Sequence, residues 1–106
     1  MGKTKSYNKL VRDRIPGIIE QAGKEYEIEE LDDSEYGKYL QRKLTEEMKE
    51  YLNSGKVEEL ADILEVIRAI LTREGMTFEE LEEMRRQKKE KRGAFQNKIL
   101  LKEVRE

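Results

Sequence analysis

Apolar residues recur along the middle of this chain at intervals of three and four, the spacing that gathers side chains on one face of an α-helix. Tyr36, Leu40, Leu44 and Tyr51 form one such stripe. Val57, Leu60, Ile63, Leu64, Val66, Ile67, Ile70 and Leu71 form a second, which covers about half of a helical circumference. The breaker Asn53, Ser54, Gly55 lies between the two. This pattern predicts an antiparallel helical hairpin, with one helix from Asp32 to about Leu52 and another from about Val57 to Arg73.

Local signals set the remaining boundaries. Asp32 is a candidate cap with Glu35 three residues on, and Gly75 is a stop for the second helix. Thr77 with Glu80 opens a further helix that runs to about Arg92, where Gly93 ends it. Pro16 suits the first turn of a short helix ended by Gly23. The weakly alternating "KEYEIEEL" reads as a short strand or an extended connection, and the apolar "AFQNKILL" has the character of a strand that could pair with residues 25–31. The expected fold is mainly α: one domain over residues 1–106, a helical bundle built on the hairpin, to which a small two-stranded β element is an optional addition.

Some carboxylates break the amphipathic rule. Glu47 falls inside the first stripe, Glu50 on its flank and Glu46 further out, while Glu59 lies within the second arc and Asp62 at its edge. A buried carboxylate without a partner costs several kcal/mol or stays protonated. In a regular antiparallel hairpin, positions 47 and 62 share a height, as do 50 and 59. Glu47 is therefore expected to face Asp62 and Glu50 to face Glu59, on levels about 4.5 Å apart. Four negative charges so close call for a cation among them. Lys43 and Arg68 are the chain's own candidates, and Glu-rich strings also occur as plain solvated faces.

Composition narrows the chemistry. The chain has 106 residues with no Cys and no His, which removes disulfides, thiolate nucleophiles, Cys/His zinc sites and the commonest general base. A metal here would have oxygen ligands, which favours Mg²⁺, Mn²⁺ or Ca²⁺. Charged residues make up 43% of the chain, yet 22 basic residues against 24 acidic ones leave a net charge of only -2. That balance argues against coating nucleic acid through overall charge. No apolar run approaches the ~18 residues of a membrane span and no leader pattern opens the chain, so a cytoplasmic protein with no membrane partner is expected. The arc over residues 57–71 is too wide for one small hairpin to cover, which leads to the expectation of a homodimer or a larger symmetric oligomer.

"EEMKE" followed by "EELAD" resembles the EExxE and ExxD signatures of the all-α nucleoside-triphosphate pyrophosphohydrolases of the MazG type, including the phosphoribosyl-ATP pyrophosphohydrolase-like members. "YNKLVRDRIP", "LQRKLTEE", "EELADILEVI" and "KEKRGAF" resemble, in the same order, the segments of a compact subgroup of that superfamily, so the resemblance spans nearly the whole chain. It implies hydrolysis between the α- and β-phosphates of a nucleoside triphosphate, with Mg²⁺, or Mn²⁺ in its place, as cofactor. By position, Glu47, Glu50, Glu59 and Asp62 would be metal ligands, Glu46 a supporting or occasional ligand, and Glu65 a group that orients water or assists as a base; Glu46, Glu47 and Glu65 are thus the catalytic candidates. Asn8, in the amino-terminal block, is a candidate substrate contact. The connection between the carboxylate helices is shorter than in many superfamily members, and Ala94 stands where the subgroup often has a second Gly.

A triphosphate brings about four negative charges, so an anionic cluster can meet it only through bridging cations and separate basic side chains. Lys9, Arg12 and Arg14 of the amino-terminal arm, with Lys43, Lys88, Lys91 and Arg92, are the candidates. Three function classes follow: a Mg²⁺-dependent nucleotide pyrophosphohydrolase; a nucleotide- or metal-sensing module that binds without turnover; and a helical protein whose basic helix touches RNA or another protein. The intact carboxylate set favours the first.

Overall fold

The structure, a computed structural model, describes residues 2–106. Four helices follow in order: α1 (Ile15–Gln21), α2 (Asp33–Ser54), α3 (Glu58–Glu74) and α4 (Phe78–Arg92). Their ends are made by local chemistry. The Asp32 carboxylate accepts a hydrogen bond from the Glu35 N–H at 2.8 Å, which satisfies one of the orphan donors at the start of α2. At α4 both halves of a capping box are present: Thr77 Oγ1 accepts from the Glu80 N–H at 3.1 Å, and Glu80 Oε1 accepts from the Thr77 N–H at 3.2 Å. Gly55 ends α2 at φ 67°, a left-handed conformation that glycine adopts without a Cβ penalty, and its N–H donates to the Tyr51 carbonyl at 2.7 Å.

The tight turn at Gly55 folds α3 back along α2, and these two helices carry the extensive interhelical packing. Leu40 from α2 and Val66 and Leu71 from α3 are buried, with Tyr36, Leu44, Tyr51, Ile63, Ile67 and Ile70 half-buried around them. Arg73, near the end of α3, reaches across to the start of α2. Its Nη2 donates to Asp33 Oδ2 at 3.1 Å and its Nε to the Asp33 carbonyl at 3.3 Å. This crossing uses the missing side chain of Gly37, where a Cβ would lie 2.6 Å from the Arg73 guanidinium carbon.

The optional β element does not form, and residues 24–31 are instead an extended connection. Among the described residues there is no strand; the segments 24–31 and 94–101 carry no ladder. Tyr26 and Ile28 are exposed, as are Ile99, Leu100 and Leu101, so neither segment has an apolar surface to pack upon, and a two-stranded ribbon is marginal in water without one. The chain is accordingly elongated, with a radius of gyration of 18.9 Å and extents of 67 × 32 × 25 Å, against about 13 Å for a compact domain of this length. Among the described residues, no helix is long and apolar enough to cross a membrane.

Candidate metal centre

The hairpin packs α2 against α3 with a carboxylate where a core residue belongs. Glu47 is buried, 7% exposed, and among the described residues it is the one charged residue that is buried. The phase of α2 requires this, because Glu47 follows Leu40 by seven residues, two helical turns along the same face. Two groups of carboxylates meet there. Oxygens of Glu47, Glu59 and Asp62 lie within 4.8 Å of one another across the hairpin, and oxygens of Glu46, Glu47 and Glu50 do so along α2. Glu47 belongs to both.

This differs in one respect from two stacked levels of facing pairs. Glu47 does meet Asp62, but Glu50 joins Glu46 and Glu47 on its own helix and shares no triad with Glu59. Glu50 is exposed on the flank of α2, whereas Glu59 and Asp62 are half-buried. Equal height along a hairpin fixes the axial position and leaves the azimuth free, and that azimuth turns Glu50 away from α3.

Cations from the arm and from α2 border the cluster. Lys9 Nζ donates to Glu46 Oε1 at 3.0 Å and Arg12 Nη2 to Asp62 Oδ1 at 2.7 Å. Lys43 Nζ lies 3.3 Å from Glu46 Oε2 and 3.3 Å from Glu47 Oε1. Residues 9 and 12 are thereby brought from the amino-terminal arm onto carboxylates of two different helices. Lys43 follows from helical spacing, three and four residues before its partners.

Even so, the cluster is short of positive charge at its centre. Glu47 Oε2 is buried and has no hydrogen-bond partner. Leaving a buried acceptor unsatisfied costs about 1–3 kcal/mol, and more for a charged group. Burial raises the Glu47 carboxyl above its ordinary range, with the Glu50 charge adding to the effect and Lys43 opposing it. Glu59 is raised as well, by desolvation and then by Asp62. Glu46 is the contrast: desolvation pushes it up, but the hydrogen bonds from Lys9 and Lys43 outweigh that and hold it below the usual range. Lys9 is raised in turn, chiefly by its hydrogen bond to Glu46.

The donor set fits a hard divalent cation. It consists only of oxygens, they come from two facing helices, and one of them is buried without a donor. Glu47, Glu59 and Asp62 would hold such an ion, with Glu50 reached through Glu47.

Other expected site residues lie elsewhere. Glu65 is exposed and belongs to neither carboxylate group. Arg68 does not neutralise the cluster; its guanidinium lies 4.7 Å from the centre of the Phe78 ring. Arg14 occupies the position just before α1 without a side-chain capping hydrogen bond and, among the described residues, forms no ion pair. Lys88, Lys91 and Arg92 are exposed on the last turns of α4, which does not pack extensively on the hairpin, so the chain does not bring them to the carboxylates. Asn8 is exposed at φ 48°, and this left-handed residue turns the arm just before Lys9 meets Glu46. The Arg73 latch over Gly37 had no signal in the periodicity, because it depends on a side chain that is absent. Comparison with protein-family models, with curated proteins and with solved structures finds no match to this chain.

Proposed function

We propose that this chain is a Mg²⁺-dependent nucleoside-triphosphate pyrophosphohydrolase of the MazG-like kind, converting a nucleoside triphosphate and water to the monophosphate and pyrophosphate. One observation carries the reading: the buried, donorless Glu47 Oε2 sits where two carboxylate triads meet, and arm cations stand directly beside them. An anionic pocket alone would repel a triphosphate; an anionic pocket bordered by Lys9, Arg12 and Lys43 supplies both halves of what a metal–nucleotide complex needs. Bound Mg²⁺, or Mn²⁺ in its place, would supply neutralisation of phosphate charge and a more acidic water.

The chain's own residues divide the work. Glu47, Glu59 and Asp62 would hold the cation, which would draw a phosphate against the hairpin. Arg12 presents a guanidinium, which binds phosphate oxygens bidentately, and its position beside Asp62 puts it at the edge of the same pocket. Lys9 and Lys43 are held by Glu46, so Glu46 acts as a positioning residue for two ammonium groups. By the family resemblance the phosphate adjoining the carboxylates would be the α-phosphate, and pyrophosphate would leave toward Lys9, Arg12 and Lys43.

Screening nucleoside triphosphates with Mg²⁺ in ¹⁸O-labelled water tests the reaction. Label in the monophosphate with unlabelled pyrophosphate is the expected result. A diphosphate with labelled orthophosphate would reject the bond assignment, and binding without any product would make the chain a nucleotide-sensing module instead.

A further inference from the structure

Two carboxylate triads that share a residue raise a question of number. Glu47 belongs both to the triad across the hairpin and to the triad along α2, and a carboxylate shared in this way can bridge two divalent ions about 3.5–4 Å apart. The two oxygens of Glu47 do not have the same surroundings, however. Oε1 lies 3.3 Å from Lys43 Nζ. Oε2 is buried and has no hydrogen-bond partner. One end of the shared carboxylate is therefore already supplied with positive charge, and the other is not.

The remaining ligands repeat that difference. Lys43 Nζ also lies 3.3 Å from Glu46 Oε2, and Lys9 Nζ donates to Glu46 Oε1 at 3.0 Å, so both oxygens of Glu46 face an ammonium group. Glu50 completes the α2 triad from the exposed flank of the helix. In the triad across the hairpin the chain's own cation stands at the rim instead: Arg12 reaches Asp62 from the arm, with more than half of its side chain exposed.

Lys43 is also placed in a way that Lys9 and Arg12 are not. It lies one helical turn before Glu46 and Glu47, so it arrives with α2 itself, and its side chain is only 16% exposed. A tethered ammonium meets its carboxylates at a high effective concentration. A free divalent ion must be recruited from water and give up part of its hydration to reach the same oxygens. It would also lie close to the Lys43 charge and to an ion in the other triad, and both would repel it.

We propose that Lys43 is a built-in second cation: its ammonium bridges Glu46 and Glu47 in the α2 triad, and the centre takes one divalent ion per chain, between Glu47, Glu59 and Asp62. The inference rests on the cation centre proposed above and goes further, because it replaces a second, exchangeable ion with a fixed single charge.

Counting ions tests this without reference to turnover. Titration of the full chain with Mn²⁺, the free ion being followed by its electron paramagnetic resonance signal, should give one bound ion per chain. Lys43→Met removes the charge while keeping an unbranched stem, and it should raise the number to two. Lys43→Arg retains the charge and should stay at one. Lys9→Met should also stay at one, because Lys43 still bridges the two carboxylates. Adding Glu50→Gln to Lys43→Met should return the number to one, which places the second ion in the α2 triad. Lys43→Gln repeats the measurement with a polar stem should the methionine variant lose its helical circular dichroism. Two ions in the wild type, or one ion in both Lys43→Met and Lys43→Gln, would overturn the inference and leave the centre standing. A wild-type chain that binds no Mn²⁺ would overturn the centre and the inference together.

Discussion

Replacing Glu47 by Gln should stabilise the protein when no divalent cation is present, although it removes an ion pair from the core. The sign can be worked from the geometry. Lys43 attracts Glu47 from 3.3 Å. Even with Glu59 left aside, oxygens of Glu46, Glu50 and Asp62 repel Glu47 from within 4.8 Å. Coulomb energy falls as the inverse of distance, so three repulsions at that outer limit exceed the one attraction about twofold at any common dielectric constant. Gln conserves volume, and Lys43 keeps Glu46, so the substitution leaves no unpaired ammonium. Screening by solvent and the counterions Lys9 and Arg12 reduce the net gain to about 1–2 kcal/mol. Urea unfolding in a chelator at pH 7 should therefore show a higher midpoint for Glu47→Gln with an unchanged slope. The folded-state pKa of Glu47 is raised, so the penalty that the wild type carries at neutral pH should fade as pH falls through that value toward 4.5, and the two proteins should converge. Saturating Mg²⁺ should reverse the order, because a cation at 100 times its dissociation constant adds about 2.7 kcal/mol to the form that binds it. A lower midpoint for Glu47→Gln in the chelator would refute this reasoning.

Three further outcomes are expected. Asp62→Asn should reduce turnover at least a hundredfold at saturating Mg²⁺ with the helical circular dichroism intact, measured by pyrophosphate release; near-normal rates would remove Asp62 from the site. Thr77→Ala removes both the side-chain acceptor and the reciprocal box, so chemical denaturation should show a loss of about 1 kcal/mol. Gly37→Ala gains helix propensity of about 0.8–1 kcal/mol but displaces the Arg73 guanidinium, so it should stabilise an Arg73→Ala chain more than the wild type in a double-mutant cycle, and equal effects in both backgrounds would show that the crossing contributes nothing.

What the sequence disclosed depended on how local the cause was. The helix ends at Asp32, Gly55, Gly75, Thr77 and Gly93 are set by residues within one turn of the boundary, and the observed helices start and stop within about two residues of the expected positions. The burial of Glu47 was legible for a similar reason, since helical phase alone puts it on the packed face. The separation of Glu50 from Glu59 was not, because it depends on the rotation of each helix about its axis as well as on their shared height. The strands failed where a partner surface was assumed, and Ile28 and Ile99 each stand exposed without one. Lys88, Lys91 and Arg92 were grouped with the arm cations on charge alone. Their separation from the carboxylates is decided by the path of α4, which a low-amphipathicity helix does not announce in its sequence. The contact of Arg12 with Asp62, fifty positions apart, had only its charge as a signal.

The way the arm is fastened separates two clocks in this molecule. The hairpin closes through residues that are near one another in sequence, and such contacts form early and quickly. Lys9 and Arg12 must instead close loops of 37 and 50 residues to reach their partners, and they do so through exposed ion pairs that hold only weakly. The acidic half of the centre therefore assembles with the helices and persists with them, while the basic half arrives last and leaves first. Amide exchange and protease cleavage should find the arm long before they find α2, and entry to the centre can be gated by a local detachment that leaves global stability untouched.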